Sequence, residues 1–340
     1  MADLVVITDC DHPDVDIERA AFAAAGLDMR LASCRTEADV VRAGAQARAL
    51  LVQYAPVSAT VLSGLPRCQV VGRYGTGLDP IDVQAALGRG LDVVSVPDYS
   101  TQEVSDHAIA LVMALCRGLV PAAGAVRTGR WTLADAGPLR RLGALRLGVV
   151  GLGRIGRAVA RKAAALGFDV VGCDVAPPPA SPVPLLSLEA VLAGSDIVSL
   201  HVPLSAQTRH LIDASRLALM RPTAFLVNTS RGGLVDQAAL RAALAAGRLA
   251  GAGLDVLETE PPDPADPLLG DERVIITPHI AFYSAESLVE LKRRVAGAII
   301  EALARRRQHA DPAGSGQRPG QRPGQRPAPA DGIPPESLSL

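Results

Sequence analysis

The chain has 340 residues, of which 49% are apolar and only 3% aromatic, so its cores must consist mainly of Ala, Val, Leu and Ile. A chain of this length predicts about two domains. The 34 basic and 35 acidic residues give a formal net charge of −1, which gives no reason to expect a nucleic acid or an anionic membrane as a partner. A small molecule is the better expectation for the ligand.

The first hundred residues alternate between short apolar runs and helical patterns. Strands are predicted at 4–8, 49–53, 69–72 and 91–96, and helices at 16–25 and 81–87. This alternation indicates one small α/β unit. A long helix is predicted at 101–119, and its apolar centre, 108–116, needs cover on several sides. We expect this helix to open a second domain and to pack at a domain or subunit interface.

The most informative motif is Gly151-Leu-Gly-Arg-Ile-Gly. It follows a predicted strand at 145–150 and opens a predicted helix at 157–166, and the next predicted strand, 168–173, ends in Asp174. A strand, a glycine-rich turn, a helix, a second strand and an acid in this order form the dinucleotide-binding fingerprint. The sequence therefore predicts NAD as the cofactor.

Each glycine of the fingerprint has a physical role. Gly151 allows the tight turn, Gly153 lets the pyrophosphate approach the backbone, and Gly156 lets the helix pack close to its strand. Arg154 and Ile155 stand directly before the predicted helix, whose N-terminus offers free N–H groups and the positive end of its dipole to the phosphates. Arg154 adds a mobile cation at this place.

The acid that closes the second strand bears on the choice of cofactor. Asp174 can accept hydrogen bonds from the adenosine ribose hydroxyls, and its charge would repel a 2′-phosphate. No arginine directly follows it to reverse that preference. We therefore expect NAD to be preferred over NADP.

The alternation continues after the fingerprint and indicates a parallel, doubly wound sheet. Further strands are predicted at 197–201, 224–228, 251–256 and 274–277, and helices at 214–220, 237–246 and 287–307. Beyond the last helix, Gly316-Gln-Arg-Pro is repeated at 320 and 324. Such a composition cannot bury enough apolar surface to fold, so 311–340 is expected to be a disordered tail, although its arginines leave an anionic tether open as an alternative.

Three residues suited to acid–base chemistry follow three predicted strands. Arg231, Glu260 and His279 each stand beyond the carboxyl end of a strand, where open α/β sheets bind ligands. A histidine can move a proton near neutral pH, a carboxylate can orient its ring, and a guanidinium can bind a substrate carboxylate with two hydrogen bonds. Singly, Arg231 and Glu260 could be surface ion-pair partners and His279 a helix-capping residue. Together with the fingerprint they indicate a catalytic set.

The remaining sequence signals concern metals and location. The five cysteines occur singly and next to apolar runs, which favours buried thiols over a metal site: Cys10, Cys34, Cys68, Cys116 and Cys173. The first residues lack a charged segment followed by a long apolar stretch, and no run reaches the ~18 apolar residues of a membrane helix. A cytoplasmic protein with no membrane partner is expected.

From about 49 to 300, the chain resembles the D-isomer-specific 2-hydroxyacid dehydrogenases. Six motifs carry the resemblance: Gly75-Thr-Gly-Leu-Asp, Gly151-Leu-Gly-Arg-Ile-Gly, His201-Val-Pro-Leu, Asn228-Thr-Ser-Arg-Gly-Gly-Leu-Val-Asp, Gly253-Leu-Asp-Val and Pro278-His. The chain looks most like the branch of phosphoglycerate dehydrogenases and C-terminal binding proteins. Arg73-Tyr-Gly-Thr-Gly and Pro278-His-Ile-Ala-Phe-Tyr-Ser are similar to the latter.

The resemblance implies a fold, a site and an assembly. It implies two Rossmann-like α/β domains with the cofactor domain, 99–285, inserted into a substrate domain made of 1–98 and 286–310. It implies that Arg231, Glu260 and His279 are catalytic. It also implies a set of cofactor-lining residues: His201, Pro203, Thr208, Thr229, Ser230 and Asp255. The helix at 101–119 resembles the family's dimer-forming segment, so a homodimer is expected.

The expected substrate residues lie in the first domain and next to His279. By the resemblance, the backbone of Gly75, Thr76 and Gly77 is the second holder of the substrate carboxylate. Arg73 could bind a second acidic group of the substrate or pair with an acid such as Asp79. Phe282 stands where the corepressor branch usually has a tryptophan, so the side-chain preference of the pocket is open, with Tyr74 as its other candidate.

Two functions fit these residues. One is the NAD-linked, reversible reduction of a 2-keto acid to a D-2-hydroxy acid, with His279 as acid and base. The other is an NAD(H)-sensing binding protein like the corepressors. The sequence shows no basic patch or extended interaction domain, and this favours the enzyme.

Overall fold

The computed structural model describes residues 2–176 and 178–310, which divide into two compact units. The first unit contains the residues up to Tyr99 and those from Ser284 onward, and the second contains Ser100–Tyr283. The tail at 311–340, expected to be disordered, lies outside the described residues.

Strands and helices alternate along the described chain. The strands are β1 Asp3–Ile7, β2 Leu27–Leu31, β3 Ala47–Val52, β4 Val70–Arg73, β5 Asp92–Val94, β6 Arg146–Val150, β7 Asp169–Cys173, β8 Ile197–Leu200, β9 Phe225–Asn228, β10 Gly251–Leu254 and β11 Val274–Ile276. The helices are α1 Asp16–Ala24, α2 Glu37–Gly44, α3 Ala59–Ser63, α4 Val83–Gly88, α5 Thr101–Cys116, α6 Leu119–Arg127, α7 Arg154–Ala165, α8 Leu188–Gly194, α9 Ala214–Leu217, α10 Gln237–Ala245 and α11 Ala285–Ala310. Short 3-10 turns occur at Leu133–Ala136, Leu142–Ala144, Gly232–Leu234 and Pro267–Gly270.

The first unit is a five-stranded parallel sheet in the order β2-β1-β3-β4-β5. One face packs on α2, α3 and α4, where Val40, Val61 and Ala86 contact strand residues such as Leu50. The helix α11 covers β4 on the other face, beside α1. A Cβ at Gly72 of β4 would lie 2.6 Å from Cδ1 of Ile299, so α11 needs a glycine there in order to approach so closely.

Ion pairs and hydrogen bonds also fix α11 to the first unit. The Lys292 ammonium lies 2.9 Å from the Asp14 carboxylate and donates to the Asp14 carbonyl, while only 4% of the residue is exposed. Arg306 pairs with Asp92 at 2.9 Å, near the end of the helix. The last helix of the described chain is therefore part of the same unit as its first strand.

The second unit is a six-stranded parallel sheet in the order β11-β10-β9-β8-β6-β7. The helices α5 and α7 cover one face, and α8, α9 and α10 cover the other. The chain leaves β6 first toward β7 and then toward β8, so the order of strands reverses between β6 and β8. Ligands of such sheets bind at the carboxyl ends of the strands on either side of that point. The predicted α/β class with two doubly wound sheets is confirmed.

The predicted helix at 101–119 is two helices. Gly118 has a left-handed φ of 55°, so the chain changes direction there, after the end of α5 and before the start of α6. No single helix in the described part is long and apolar enough to cross a membrane, although α5 and α6, bent by 62°, pass that test of length and composition together. The apolar face of α5 is buried on the sheet, with Ala108, Leu111 and Val112 in the core.

Candidate active site

The glycine-rich turn joins β6 to α7 at the point where the strand order reverses. Gly151 has a φ of +92°, and a Cβ on it would lie 2.6 Å from the His201 carbonyl oxygen. A Cβ on Gly156 would lie only 1.8 Å from the Gly151 carbonyl oxygen, whereas a Cβ on Gly153 would meet open space. The turn is therefore tightly packed at Gly151 and Gly156, and it leaves open space next to Gly153.

This geometry suits a dinucleotide. Gly153 caps α7 and, as a glycine, offers no side-chain acceptor to the N–H groups of the first turn, Arg154 and Ile155 included. These groups and the helix dipole are available to an anion in the open space. The residues present therefore fit a pyrophosphate group.

Asp174 lies beside the same turn. One carboxylate oxygen accepts a hydrogen bond of 2.6 Å from the Leu152 N–H, and the other accepts one of 2.8 Å from the Ala176 N–H. A carboxylate oxygen has more than one lone pair, so both can also accept from ribose hydroxyls. The two backbone bonds hold the carboxylate at the carboxyl end of β7.

Two buried polar atoms stand at the ends of the next strands without a hydrogen-bond partner among the described residues. They are Nδ1 of His201, after β8, and Oγ1 of Thr229, after β9. The other ring nitrogen of His201 lies 2.8 Å from the Ser199 hydroxyl, and burial lowers the pKa of His201 to about 4. His201 is therefore neutral at physiological pH. Such atoms are suitable partners for a polar ligand at this edge of the sheet.

Three other expected cofactor residues use their polar groups locally. The Thr208 hydroxyl donates to the Pro203 carbonyl at 2.7 Å and accepts from the Ser205 N–H at 2.7 Å. The Ser230 hydroxyl donates to the Leu200 carbonyl at 2.8 Å. These bonds fix the turns after β8 and β9, so any contact of these hydroxyls with a cofactor must be shared with the backbone.

His279 and Glu260 form a close pair. Nδ1 of His279 lies 2.6 Å from Oε2 of Glu260, and the other oxygen of Glu260 accepts a bond of 2.9 Å from the Leu257 N–H. Burial raises the pKa of the Glu260 carboxyl, but the His279 hydrogen bond and charge, the Leu257 N–H and the Arg231 charge outweigh burial and lower it below its ordinary value of 4.5. Glu260 is therefore an ionised acceptor for the imidazole.

Arg231 stands on the loop after β9, which packs against the loop that carries Glu260. A Cβ on Gly232 would lie 1.9 Å from the backbone of Leu257, so only a glycine permits this approach. The Arg231 guanidinium donates to the Ser230 carbonyl at 2.6 Å, and its charge acts on the Glu260 carboxyl. The structure thus brings Arg231, Glu260 and His279 into one neighbourhood.

Asp255 lies underneath the segment that carries His279. Its side chain is only 1% exposed, and its carboxylate accepts from the Thr277 hydroxyl at 2.5 Å and from the N–H groups of Ile280 and Ala281 at 3.0 and 2.9 Å. The Asp255 carbonyl also accepts from the His279 N–H at 2.8 Å. Asp255 was expected to line the cofactor, but the structure shows its carboxylate holding the neighbouring backbone.

His107 and Thr277 belong to this network and were missed from the sequence. Nε2 of His107, on α5, lies 2.9 Å from the Thr277 hydroxyl. Nothing in a helix with an apolar centre distinguishes this histidine from a satisfied core residue. Thr277 could have been noticed, because it directly precedes Pro278 and His279 at the end of β11.

In the first unit, the expected substrate residues follow β4. Gly75 has a φ of +133°, and a Cβ on it would lie 2.0 Å from Nη1 of Arg73, so the guanidinium rests against the Gly75 backbone. The Thr76 hydroxyl donates to the Val96 carbonyl at 3.2 Å. The Gly75-Thr76-Gly77 loop is thereby fixed at both its start and its middle.

The position of Tyr74 differs from the expectation. Its side chain is 2% exposed, and its hydroxyl donates to buried Glu18 at 2.6 Å. Its ring lies edge-on to His12, with 4.9 Å between the ring centroids. The ring points into the core of the first unit because a buried carboxylate provides an acceptor for its hydroxyl there, which argues against a substrate contact. Phe282, on the second unit, is half-buried.

Comparisons with known proteins agree with this geometry. The family model described as "D-isomer specific 2-hydroxyacid dehydrogenase, NAD binding domain" matches residues 109–281. A glyoxylate reductase of Korarchaeum cryptofilum is 43% identical over 253 residues, which cover 72% of this chain and 76% of that protein. A D-3-phosphoglycerate dehydrogenase of Archaeoglobus fulgidus is 35% identical over 81% of this chain, but only 53% of that protein is covered.

A solved structure is similar over nearly the whole described chain. The D-lactate dehydrogenase of Aquifex aeolicus, complexed with NAD and lactic acid, superposes with a TM-score of 0.81 at 29% identity, over 90% of this chain and 96% of that one. The resemblance found in the sequence is confirmed. These relatives are dehydrogenases and reductases, and they give no support to the corepressor alternative.

Proposed function

Because this chain belongs to the D-isomer-specific 2-hydroxyacid dehydrogenase family, we propose that Arg231, Glu260 and His279 are its catalytic residues. The chain is an NAD-dependent oxidoreductase that interconverts a 2-keto acid and a D-2-hydroxy acid. The hydrogen bond of 2.6 Å between His279 and Glu260, with the Arg231 charge beside it, carries the assignment of roles.

The roles follow from the chemistry of reduction. When NADH is bound, it supplies a hydride to the keto carbon, and the carbonyl oxygen must gain a proton at the same time. His279 supplies that proton from Nε2, since its Nδ1–H donates to Glu260. Glu260 fixes this orientation of the ring and stabilises its protonated form. In the oxidation direction the neutral imidazole takes the proton back from the hydroxyl group.

Arg231 is suited to binding the substrate carboxylate. A guanidinium can donate two parallel hydrogen bonds to a carboxylate, and its charge also polarises the adjacent carbonyl. The Gly75-Thr76-Gly77 backbone is the proposed second holder of this carboxylate, with Arg73 beside it. The first unit is accordingly the proposed substrate domain and the second the proposed cofactor domain.

The cofactor would be held by the fingerprint. The N–H groups at the start of α7 would bind the pyrophosphate, and Asp174 the adenosine ribose. His201 and Thr229, with their unpartnered atoms, would face the nicotinamide half. The preference for NAD over NADP rests on the Asp174 charge.

The substrate class is a small 2-keto acid. Relatives named for glyoxylate and lactate act on monoanions, and the phosphoglycerate dehydrogenases on a phosphorylated acid. The Arg73 guanidinium, which lies against the Gly75 backbone, would favour a second anionic group on the substrate. A screen of NADH oxidation with glyoxylate, pyruvate, hydroxypyruvate, 2-ketoisocaproate and phosphorylated keto acids identifies the substrate.

Substitution of His279 tests the mechanism. With His279→Gln, turnover should fall by ~10²-fold or more while NADH binding persists. With Glu260→Gln, turnover should fall less, because the glutamine keeps a hydrogen-bond acceptor for the imidazole but loses the charge. His210→Gln is the matched control, since His210 also has a positive φ and lies 2.6 Å from Glu258. Unchanged turnover in His279→Gln would remove His279 from the mechanism.

A homodimer through the second unit is the proposed assembly. Trp131 is 86% exposed and Leu133 is 95% exposed, just after α6. An apolar groove of about 610 Å³ lies nearby, lined among others by Val120 and Leu139. Exposed apolar patches of this kind are typical of interfaces. Light scattering should give twice the chain mass for the wild type and a monomer for Leu133→Asp.

The expected cytoplasmic location stays a prediction.

A further inference from the structure

A chain of hydrogen bonds connects α5 with the backbone of His279. Nε2 of His107 lies 2.9 Å from the Thr277 hydroxyl, and that hydroxyl donates to Oδ1 of Asp255 at 2.5 Å. A hydroxyl has only one proton, so towards His107 it must accept. His107 therefore donates from Nε2, and its tautomer is fixed by the network.

The other end of the chain holds an unfavourable backbone conformation. His279 has a φ of 55°, which residues other than glycine rarely adopt. Asp255 supports this conformation from two sides: its carbonyl accepts from the His279 N–H, and its carboxylate accepts from the N–H groups of Ile280 and Ala281. The direction of the imidazole toward Glu260 depends on this backbone.

The Asp255 carboxylate needs the Thr277 hydroxyl to stay in place. The carboxylate is nearly inaccessible to solvent, so water would not readily replace a lost donor, and the loss would cost free energy. His107 in turn orients the Thr277 hydroxyl, and its Nε2 lies 3.6 Å from Oδ1 of Asp255 itself. A donor on α5 thus helps to set the geometry of the Asp255 carboxylate through the Thr277 hydroxyl.

We propose that His107 is a positioning residue for the reaction: through Thr277 and Asp255 it holds the backbone of His279 so that the imidazole stays paired with Glu260. The inference rests on the proposed role of His279 as acid and base. His107 itself takes no proton from the substrate. It acts on turnover by keeping the proton donor of His279 directed at the site where the carbonyl oxygen is to be protonated.

Two pairs of variants test the network: one pair removes its hydrogen-bonding groups and the other keeps them. Thr277→Val and His107→Leu remove the hydroxyl and the ring donor with little change of volume. Thr277→Ser keeps a hydroxyl, and His107→Gln keeps an N–H donor. Thr36→Val is the control, because the Thr36 hydroxyl donates to Asp39 at 2.8 Å in the N-cap of α2, remote in sequence from the proposed site.

We expect kcat to fall about tenfold or more in Thr277→Val and His107→Leu, because small displacements of a catalytic group are costly, while the Kd of NADH and the KM of the keto acid stay within about threefold. Thr277→Ser and His107→Gln should recover most of the turnover. Thr36→Val should lose stability but keep kcat. The double variant Thr277→Val with His107→Leu should have a kcat no lower than that of the slower single variant, since both substitutions act through one chain of hydrogen bonds.

Hydrogen exchange supplies a readout that does not depend on activity. The amides of Ile280 and Ala281 should exchange faster in Thr277→Val and in His107→Leu than in the wild type, and Thr277→Ser should restore their protection. A purely structural role would lower Tm without a selective loss of kcat.

Two results would overturn the proposal, and they differ from failure of the catalytic assignment. Full turnover in Thr277→Val and His107→Leu, measured where His279→Gln is inactive, would exclude the positioning role alone. Additive losses in the double variant would show that His107 does not act through Thr277. Full activity of His279→Gln would instead reject the proposed mechanism.

Discussion

The hydroxyl of Tyr74 donates a hydrogen bond of 2.6 Å to Glu18, a carboxylate with no solvent exposure. Tyr74 directly precedes the Gly75-Thr76-Gly77 loop, and Glu18 lies on α1, so the bond ties that loop's strand to a helix of the same unit. Burial and the Glu18 charge together raise the pKa of the Tyr74 hydroxyl well above its ordinary value. The phenol is therefore a permanent donor.

Removal of this donor should destabilise the first unit. Tyr74→Phe leaves the buried Glu18 carboxylate without its partner, at a cost of about 1–3 kcal/mol in the free energy of unfolding. Urea unfolding measures the loss. The double variant Tyr74→Phe with Glu18→Leu removes both polar groups and should recover part of it. A single variant as stable as the wild type would contradict the importance of the bond.

The second prediction concerns Asp174 and the choice of cofactor. Asp174→Ala removes the acceptor for the ribose and the repulsion of a 2′-phosphate, so NADH should bind about tenfold more weakly and the gap to NADPH should narrow. Asp174→Asn keeps an acceptor for the Leu152 N–H and separates the effect of charge from that of the turn. Fluorescence titration gives both dissociation constants. A wild-type protein that binds NADPH more tightly than NADH would reject the assignment.

Arg73 separates substrate classes. If its guanidinium binds a distal anion, Arg73→Ala should lower kcat/KM on a dianionic substrate by about 1.5–3 kcal/mol, the value of a hydrogen bond to a charged group, with little loss on pyruvate or glyoxylate. Arg73→Lys keeps the charge but not the planar fork. An equal loss on both classes would place Arg73 on the common carboxylate.

The fourth prediction concerns acid stability. Asp196, directly before β8, accepts from the Arg146 N–H at 2.8 Å and pairs with Arg140 at 2.7 Å and Arg221 at 3.2 Å. Burial raises the pKa of Asp196, but these bonds and charges outweigh it and hold the pKa below 3.8. Its contribution is therefore complete above about pH 4 and is lost as the pH falls through the folded-state pKa.

Asp196→Asn should reveal this window. The variant should be less stable than the wild type by roughly 2 kcal/mol at pH 7, and the difference should shrink as the pH falls below about 4, because the carboxyl of the unfolded chain takes up a proton before that of the folded chain. Urea unfolding at pH 7, 4 and 3 follows the difference. A difference that stays constant over this range would show that the charge of Asp196 does not support the fold.

The sequence predicted the fold wherever a segment had a regular apolar period. The central strands of the second sheet are buried on both faces and consist mostly of apolar residues, as β6 and β8 show. β2 was missed because it lies at the edge of its sheet, and Asp28 and Arg30 interrupt its apolar residues. The break at Gly118 was missed because a single glycine between two apolar helices is also tolerated within one helix.

The candidate site was predictable to the extent that it depends on strand ends. Arg231, Glu260 and His279 follow strands of a parallel sheet, and that topology brings them together. The same reasoning cannot show which way a side chain turns. The Tyr74 side chain points inward because its hydroxyl bonds to Glu18, and the Asp255 carboxylate accepts from the backbone of Ile280 and Ala281. Both arrangements depend on partners that are distant in sequence. The contact of His107 with Thr277 could not be predicted for the same reason.

The return of α11 to the first sheet has a consequence for synthesis of the chain. Among the described residues the second unit is one continuous segment, so its core can form once residue 283 has left the ribosome. The first unit lacks Ile299 against Gly72 and the Lys292 ammonium against Asp14 until α11 follows. The unit that is translated first is thus the one that completes its folding last, and its open sheet face must wait through nearly two hundred residues of translation.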